Sequence, residues 1–443
     1  IVYIDGLANS DKIDRYILNP LMQNNHFYKP QGIFQKDKPI NTLLHAGVIS
    51  PSAKISTDFE ELKKSLLFGD CILFPQGSNE AIINTVGGWE RRSISDPASD
   101  VEIRGSREGF VESVRTNKVL IRRRIRDVDL RFESYYIGRR TQTEVVLTYI
   151  DGVVDDGILK ELRKRIGKIK TDSILESGYL EEYIEDSPFS IFPRIQNTER
   201  PDQAAAVMLE GKIIIMVDNT PFALIIPTRF WDFTQAPGDY FERFYIGSFV
   251  RIIRVIALII SLTLPSLYVM LISFHQEMIP TTLALRMAAG REGIPFPAFL
   301  EALLMEVMFE ILREAGIRIP KPIGQAVSIV GALVIGEAAV QAGIVSPIMV
   351  IIVAAAGICS FAIPGYNASM ALRLLRFPVL FVTAAFGNFG FIAATLVILL
   401  SLRSFGVPYF SPFTPFRVRD ASKDFLLRSP WKSMNDRETG RKK

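Results

Sequence analysis

The chain has 443 residues, 48% of them hydrophobic, with a mean hydropathy of +0.22, which is too apolar for an ordinary soluble enzyme. A formal charge of +4 is too small to argue for nucleic acid, and three histidines, none paired at ligand spacing, argue against a metal centre. Cys71 and Cys359 lie in different regions and support no disulfide framework.

Charges crowd residues 1–245 and the stretch after Leu402. The expected fold class is therefore an α/β soluble region of two related, duplicated modules, followed by an all-α polytopic membrane domain. The chain opens directly on Ile1-Val-Tyr-Ile-Asp, which reads as a strand. The loss of an original N-terminal extension is expected from that. Ile1–Gly6 recurs as Leu147–Gly152, each copy followed by a polar turn and an amphipathic helix, near Lys12–Met22 and Asp156–Ile166. Leu67–Phe74 corresponds to Leu209–Met216, and Gly69 stands as far from Trp89 as Gly211 from Trp231. Both copies end in a hairpin, Cys71–Phe74 with Ala81–Val86 and Ile213–Val217 with Phe222–Ile226. Runs such as Ile213-Ile-Ile predict strands buried on both faces. The modules are placed at 1–92 and 143–232. Asp5 and Asp151 sit at strand ends with no acid or histidine close in sequence, so neither is assigned a catalytic role.

The segment 93–142 reads as a bridge holding one amphipathic helix, Glu108–Arg126. Phe110, Val111, Val114, Ile121 and Ile125 share a face of it. Arg122, Arg123, Arg124 and Arg126 crowd its C-terminal end, where cations complement the helix dipole. Other uses for them are salt bridges to a neighbouring subunit or contact with lipid headgroups.

The membrane domain is placed at 246–403. Phe230, Trp231, Phe233, Tyr240, Phe241, Phe244 and Tyr245 form an expected aromatic belt before the first span. Val255–Phe274 is free of charge, with Arg251 and Arg254 before it, so the soluble modules are expected in the cytoplasm. Pro280–Gly293 is short and reads as interfacial. Phe296–Ala315 carries Glu306, Glu310, Arg313 and Glu314 as one polar stripe, so it lies in the interface or spans with that stripe toward protein or water. Spans are also expected at Pro322–Gly343, Gly343–Pro364 and Phe377–Leu402, the last with Gly387, Gly390 and Ala394 for close packing. Four or five crossings result, and neither count satisfies the charge rule. The tail, 404–443, is basic and expected to be flexible.

Pro322–Leu372 carries a single charged side chain, Glu337. At 100° per residue, Ile323, Val327, Val330, Val334, Glu337 and Gln341 share one stripe. Gln325, Ser328, Ala332, Gly336, Ala339 and Gly343 share the opposite face, where small residues admit another helix closely. One reading neutralises Glu337 between neighbouring helices. The other copies the stripe around a symmetry axis: Val327, Val330 and Val334 form a hydrophobic collar, while Glu337 and Gln341 line the path. Such collars gate by dewetting, and acidic rings favour cations.

Several motifs resemble the A subunits of spore germinant receptors. They are Arg104–Phe110, Asn117 with Leu120–Arg124, Gly138–Arg140, Ile174–Tyr179, Gln196–Pro201, Phe274–Pro280, Arg291–Pro297, Pro322–Val327 and Leu402–Pro408. The match covers residues 100–415 and departs at Ser106, where the family usually has proline. The resemblance implies a multi-pass protein of the spore inner membrane working with a transporter-like B subunit and a lipoprotein C subunit. It also implies a homo-oligomer, a pentamer, forming a nutrient-gated channel that releases monovalent cations. A sporulation-stage paralogue sharing these motifs is an accessory channel. The family supplies no catalytic residues. A secondary transporter using Glu337 as a proton-linked carboxylate is the competing class, but 246–403 shows none of the inverted repeats it would favour. A scaffold that only anchors partners is a third class. An enzyme is not expected, because the chain holds no Gly-x-Gly-x-x-Gly, P-loop or Gly-x-Ser-x-Gly, and no cofactor is expected either.

Overall fold

The structure, a computed structural model, describes residues 1–23, 53–86, 97, 100, 102–186, 190–318, 336–404 and 427–430. The chain divides into two compact units. The first comprises Ile1–Val101, Ser106–Ile184 and Asn197–Ile226, and the second comprises Glu102–Gly105, Glu185–Gln196 and Pro227–Lys443.

The first unit holds two sheets. A helical run α1 (Ser10–Ile13, a π turn Asp14–Leu18, then Asn19–Gln23) precedes strand β1 (Lys54–Ser56), helix α2 (Phe59–Phe68) and the hairpin β2 (Cys71–Leu73) and β3 (Ala81–Asn84). Asp58 caps α2 by accepting from the Glu60 amide, and Gly69 closes it in the left-handed conformation. These strands pair in the order β1-β3-β2.

The second sheet has the order β4-β5-β7-β8-β6. Its strands are β4 (Leu130–Ile137), β5 (Thr143–Ile150), β6 (Gln196–Thr198), β7 (Ile213–Val217) and β8 (Ala223–Ile226), with helices α3 (Val114–Arg124), α4 (Asp156–Ile166), α5 (Ser177–Ile184) and α6 (Pro201–Leu209). Every residue of β7 and β8 is buried. One face of the sheet, with Val146, Ile214, Met216 and Ile225, packs under Leu120 and Ile121 of α3 and Ala204 and Met208 of α6.

The segment between the repeats is more than a bridge. β4 pairs with β5 along its whole length, from Leu130↔Ile150 to Ile137↔Thr143, and so forms an edge of the sheet. The helix expected from Glu108 begins at Val114. Ser113 caps it, and Asn117 turns back to hold both the amide and the carbonyl of Val111, which keeps 108–112 out of the helix. Phe110 still reaches the core, in extended chain whose amide donates to the Glu199 carbonyl. The arginines have partners inside the chain. Arg123 and Arg124 pair with Glu108, Arg122 lies over the Phe132 ring, and Arg126 over that of Phe68.

The two sheets repeat particular contacts. Val2 bridges Ile72 as Thr148 pairs with Ile214. Gly69 (φ +94°) and Gly211 (φ +93°) both press on the chain just after the Tyr-Ile-Asp-Gly turn. A Cβ on either would stand 2.8 Å from a carbonyl oxygen, that of Leu7 or of Val153. Asp5 and Asp151 each pair with an arginine, Arg115 at 2.7 Å and Arg131 at 3.3 Å.

On the side of β4 that meets α4, Arg163 and the hydroxyls of Tyr149 (2.5 Å) and Tyr135 (3.0 Å) converge on Glu133. The Arg163 hydrogen bond, aided by the tyrosines, holds this carboxyl at about 2 against an ordinary 4.5. Because folding depresses the pKa, the stabilisation is complete above about pH 4.5 and disappears as pH falls toward 2. Solvent screening at Arg163 limits it to roughly 1 kcal/mol. Glu133→Gln is expected to flatten this part of the pH dependence in urea unfolding followed by circular dichroism. A variant whose midpoint drops as steeply as wild type between pH 5 and 3 (about the titration window, by linkage) would sink the assignment.

The second unit is helical. It contains a 3-10 turn (Phe230–Thr234), α7 (Gly238–Phe241), α8 (Phe244–Phe274), α9 (Thr281–Ala289), α10 (Ala298–Arg318), α11 (Pro347–Phe361) and α12 (Tyr366–Ser404). Among the described residues, α8 and the Tyr366–Ser401 stretch are long and apolar enough to cross a membrane.

The stretch expected to cross once at Phe377–Leu402 instead reverses. Gly387 has φ +60° and ψ −135°, outside helical space, and divides α12 into legs 366–386 and 388–404. Val379 and Ile398 share one core cluster, although a straight helix would hold them about 28 Å apart. Glycine is required at Gly390 too, because a Cβ there would run into the Val382 carbonyl across the turn.

The expected aromatic belt is only partly a surface. Phe230 and Phe233 are buried with Phe192, Leu262, Ile363 and Leu372, with ring centroids of Phe192 and Phe233 5.5 Å apart, whereas Phe244 and Tyr245 are exposed.

Candidate functional site

Three features could carry function. The first is the stripe expected to line an ion path. Val327, Val330 and Val334 lie outside the described residues. Glu337 and Gln341 are exposed, and Gln341 Nε2 donates to Glu337 Oε1 at 3.1 Å. Gly336 is buried, with a Cβ position 3.5 Å from Val350 on α11. Ala339 and Val340 pack against the cluster of Met305, Val345, Met349 and Val353. The short helical piece at 336–341 thus has a packed side of small residues and an outward side carrying a carboxylate and an amide.

The second feature is the polar stripe of α10, which turns inward. Glu306 and Arg376, each 1% exposed at the side chain, form an ion pair at 2.5 Å. Arg376 also donates through Nε to the Ser261 carbonyl in the middle of α8 (2.8 Å). One turn further, Glu310 pairs with Arg313 at 2.5 Å and lies 4.0 Å from Arg373. Near the start of α10, buried Glu301 accepts from the Ser346 amide (2.9 Å) and pairs with Arg291 (2.9 Å). The carboxylates of α10 thereby tie together α8, α10, α11 and the first leg of α12. Arg373 and Arg376 stand just before the charge-free run that begins at Phe377. The overlooked signal is matched one-turn spacing, Glu306 and Glu310 against Arg373 and Arg376.

These contacts also fix helix directions. Arg376 meets Ser261, and later in each helix Gly387 meets Phe274, so the first leg of α12 runs alongside α8 in the same direction. Glu306 and Glu310 meet Arg376 and Arg373 in reverse order, so α10 runs opposite. Ser346 lies at Glu301 and Gly357 at Phe309, so α11 runs with α10.

The third feature, missed in sequence reading, is a polar cavity of about 660 Å³ in the first unit. Arg115, Lys118 and Arg122 project into it from one face of α3, opposite Tyr3, Asp5 and Glu144. Lys118 pairs with Glu144 at 2.6 Å and Arg115 with Asp5 at 2.7 Å. Such walls suit a small polar molecule bearing both charges. Among the described residues, no group of three or more His, Cys, Asp or Glu could hold a metal ion.

Comparison with known proteins agrees along the whole chain. The profile of the family described as Bacillus/Clostridium GerA spore germination protein matches residues 1–439. The uncharacterized membrane protein YfkQ of Bacillus subtilis (strain 168) is 46% identical over 99% of this chain and 84% of its own length. Spore germination protein KA of the same organism is 46% identical over 97% of this chain and 78% of its own. The crystal structure of the N-terminal domain of the A subunit of the Bacillus megaterium spore germinant receptor GerK3 covers 50% of this chain and 79% of that one. Its identity is 37% and its TM-score 0.36, an overlay too loose to speak for the fold. With a family match over nearly its full length and relatives at this identity, the chain belongs to the GerA family of spore germination proteins.

Proposed function

We propose that this chain is the A subunit of a spore germinant receptor, and that identical copies surround a cation path lined by Glu337 and Gln341. The observation that supports it is the two-sided helix at 336–341. A charged group in an apolar helical region faces water or another chain, and a ring of copies around an aqueous axis supplies both. Five-fold assembly, the B and C partner subunits and the spore inner membrane are carried over from the family resemblance. Recurring contacts in the two sheets support reading the soluble region as two copies of one module.

The helix directions support an even number of crossings. The first leg of α12 runs with α8 and the second leg runs back. The reversal at Gly387 then brings residue 404 back to the side where α8 begins, which is cytoplasmic in this reading.

The test is conduction in planar bilayers under a potassium chloride gradient. Wild type is expected to pass cations selectively, and Glu337→Gln to move the reversal potential toward zero. An unaltered potential removes Glu337 from the path. Particle images down the membrane normal separate a channel from a carrier, because only the channel has a central hole on a rotation axis.

A further inference from the structure

The short helix α7 and the first turns of α8 meet at a corner where three arginines converge. Asp239 is 4% exposed and accepts from Arg251 Nε (3.2 Å) and from Arg254 Nη1 (2.8 and 2.6 Å). The two helices approach so closely that a Cβ at Gly247 would stand 2.6 Å from the Asp239 carbonyl oxygen.

The third arginine comes from 180 positions further along the chain. Arg428 is 3% exposed. Its Nη1 donates to the carbonyls of Asp239 (2.9 Å) and Glu242 (2.6 Å), at the C-terminal end of α7. Its amide donates to Ser248 Oγ at 2.9 Å. Its guanidinium centre lies 5.6 Å from the Tyr240 ring centroid, and that of Arg251 lies 5.0 Å from the same ring.

A guanidinium keeps its charge at any working pH, so burying one requires acceptors already in place. The end of a helix offers such acceptors, because its last carbonyls have no helical donor. Here two carbonyls and an aromatic face surround the side chain, and a hydroxyl takes the backbone amide of the same residue. The acceptors of Nη1 are neutral carbonyls, one for each hydrogen of that amino group.

We propose that the α7–α8 corner is a binding site for an arginine-bearing peptide, with residues 427–430 of the same chain as its occupant. Occupancy clasps the C-terminal segment to the first turn of α8. Release leaves the Asp239 and Glu242 carbonyls and Ser248 without these partners, and that turn loosens. The clasp makes the C-terminal region a handle on α8.

The experiment uses the full chain in detergent and reads amide hydrogen exchange by mass spectrometry. Arg428→Ala is expected to speed exchange across 238–250 at least about tenfold, with β5 and β7 unchanged. A synthetic peptide covering residues 424–433, added in excess to the Arg428→Ala chain, should restore slow exchange at the corner. The same peptide carrying Arg428→Ala should not. Unchanged exchange in the Arg428→Ala chain would overturn the proposal, as would equal rescue by both peptides. If Arg428→Ala loosens the strands as well, the peptide pair still decides, because only a site that reads the guanidinium distinguishes them.

Discussion

Arg376→Met is expected to unfold the helical unit far more readily than wild type, by about 3–5 kcal/mol, because it strands the Glu306 carboxylate in an apolar interior. Both partners are 1% exposed at the side chain, so water cannot take over the lost contact. Arg376 also serves the Ser261 carbonyl, and its removal leaves two acceptors without a donor. The double variant Glu306→Leu/Arg376→Met should recover most of the loss, since replacing a buried pair with apolar groups of similar volume is often neutral or stabilising. Thermal unfolding in detergent of the four species of this cycle gives the coupling directly. If Arg376→Met and the double variant melt together, close to wild type, the pair does not hold these helices.

Gly387→Ala is expected to disrupt the α12 hairpin for two separable reasons. The backbone, at φ +60° and ψ −135°, lies where only glycine is at ease, which costs a side-chain-bearing residue about 1–3 kcal/mol. The new methyl group would also stand 3.0 Å from the Phe274 ring. Gly387→Ala/Phe274→Ala removes the second cause and leaves the first, so it should remain less stable than Phe274→Ala alone. Size-exclusion profiles after graded heating would rank the variants. The reversal itself is checked by Val379→Cys/Ile398→Cys, whose thiols can form a disulfide only if the legs lie side by side. Failure to cross-link, with Gly387→Ala as stable as wild type, would mean that α12 is a straight helix.

Much of the architecture was legible because its causes are local. The helix after the first Tyr-Ile-Asp-Gly turn and both hairpins follow from polar turns and apolar runs within a few positions of one another. The spacing of Gly69 and Gly211 predicted repeated elements, and the structure has them meeting Leu7 and Val153 in the same way. At 336–341 the 100° projection separated Gly336 from Glu337, and the packed and outward sides divide accordingly. The valines of that stripe lie outside the described residues.

Other features had no local signal. β4 was read as connection because nothing near Leu130–Ile137 shows that Thr143–Ile150 needs an edge partner there. Phe230 and Phe233 look like interfacial aromatics until Phe192 and Leu372 are known to surround them. Glu306 finds its partner 70 positions away. Periodicity placed that carboxylate on a polar stripe but could not say whether the stripe met lipid, water or an arginine.

Sequence alone therefore determined the two hairpins, the apolar helical runs and which side of the 336–341 helix is small or charged, since propensity, capping and periodicity act over one or two turns of chain. Only the tertiary structure decided that a charge-free run of 26 residues from Phe377 to Leu402 turns back at Gly387, and that the carboxylates of α10 close on arginines of α12. A glycine of positive φ and a glycine inside a helix are the same letter. A buried charge is tolerable only where packing brings its counter-charge, and that meeting is a property of the folded chain.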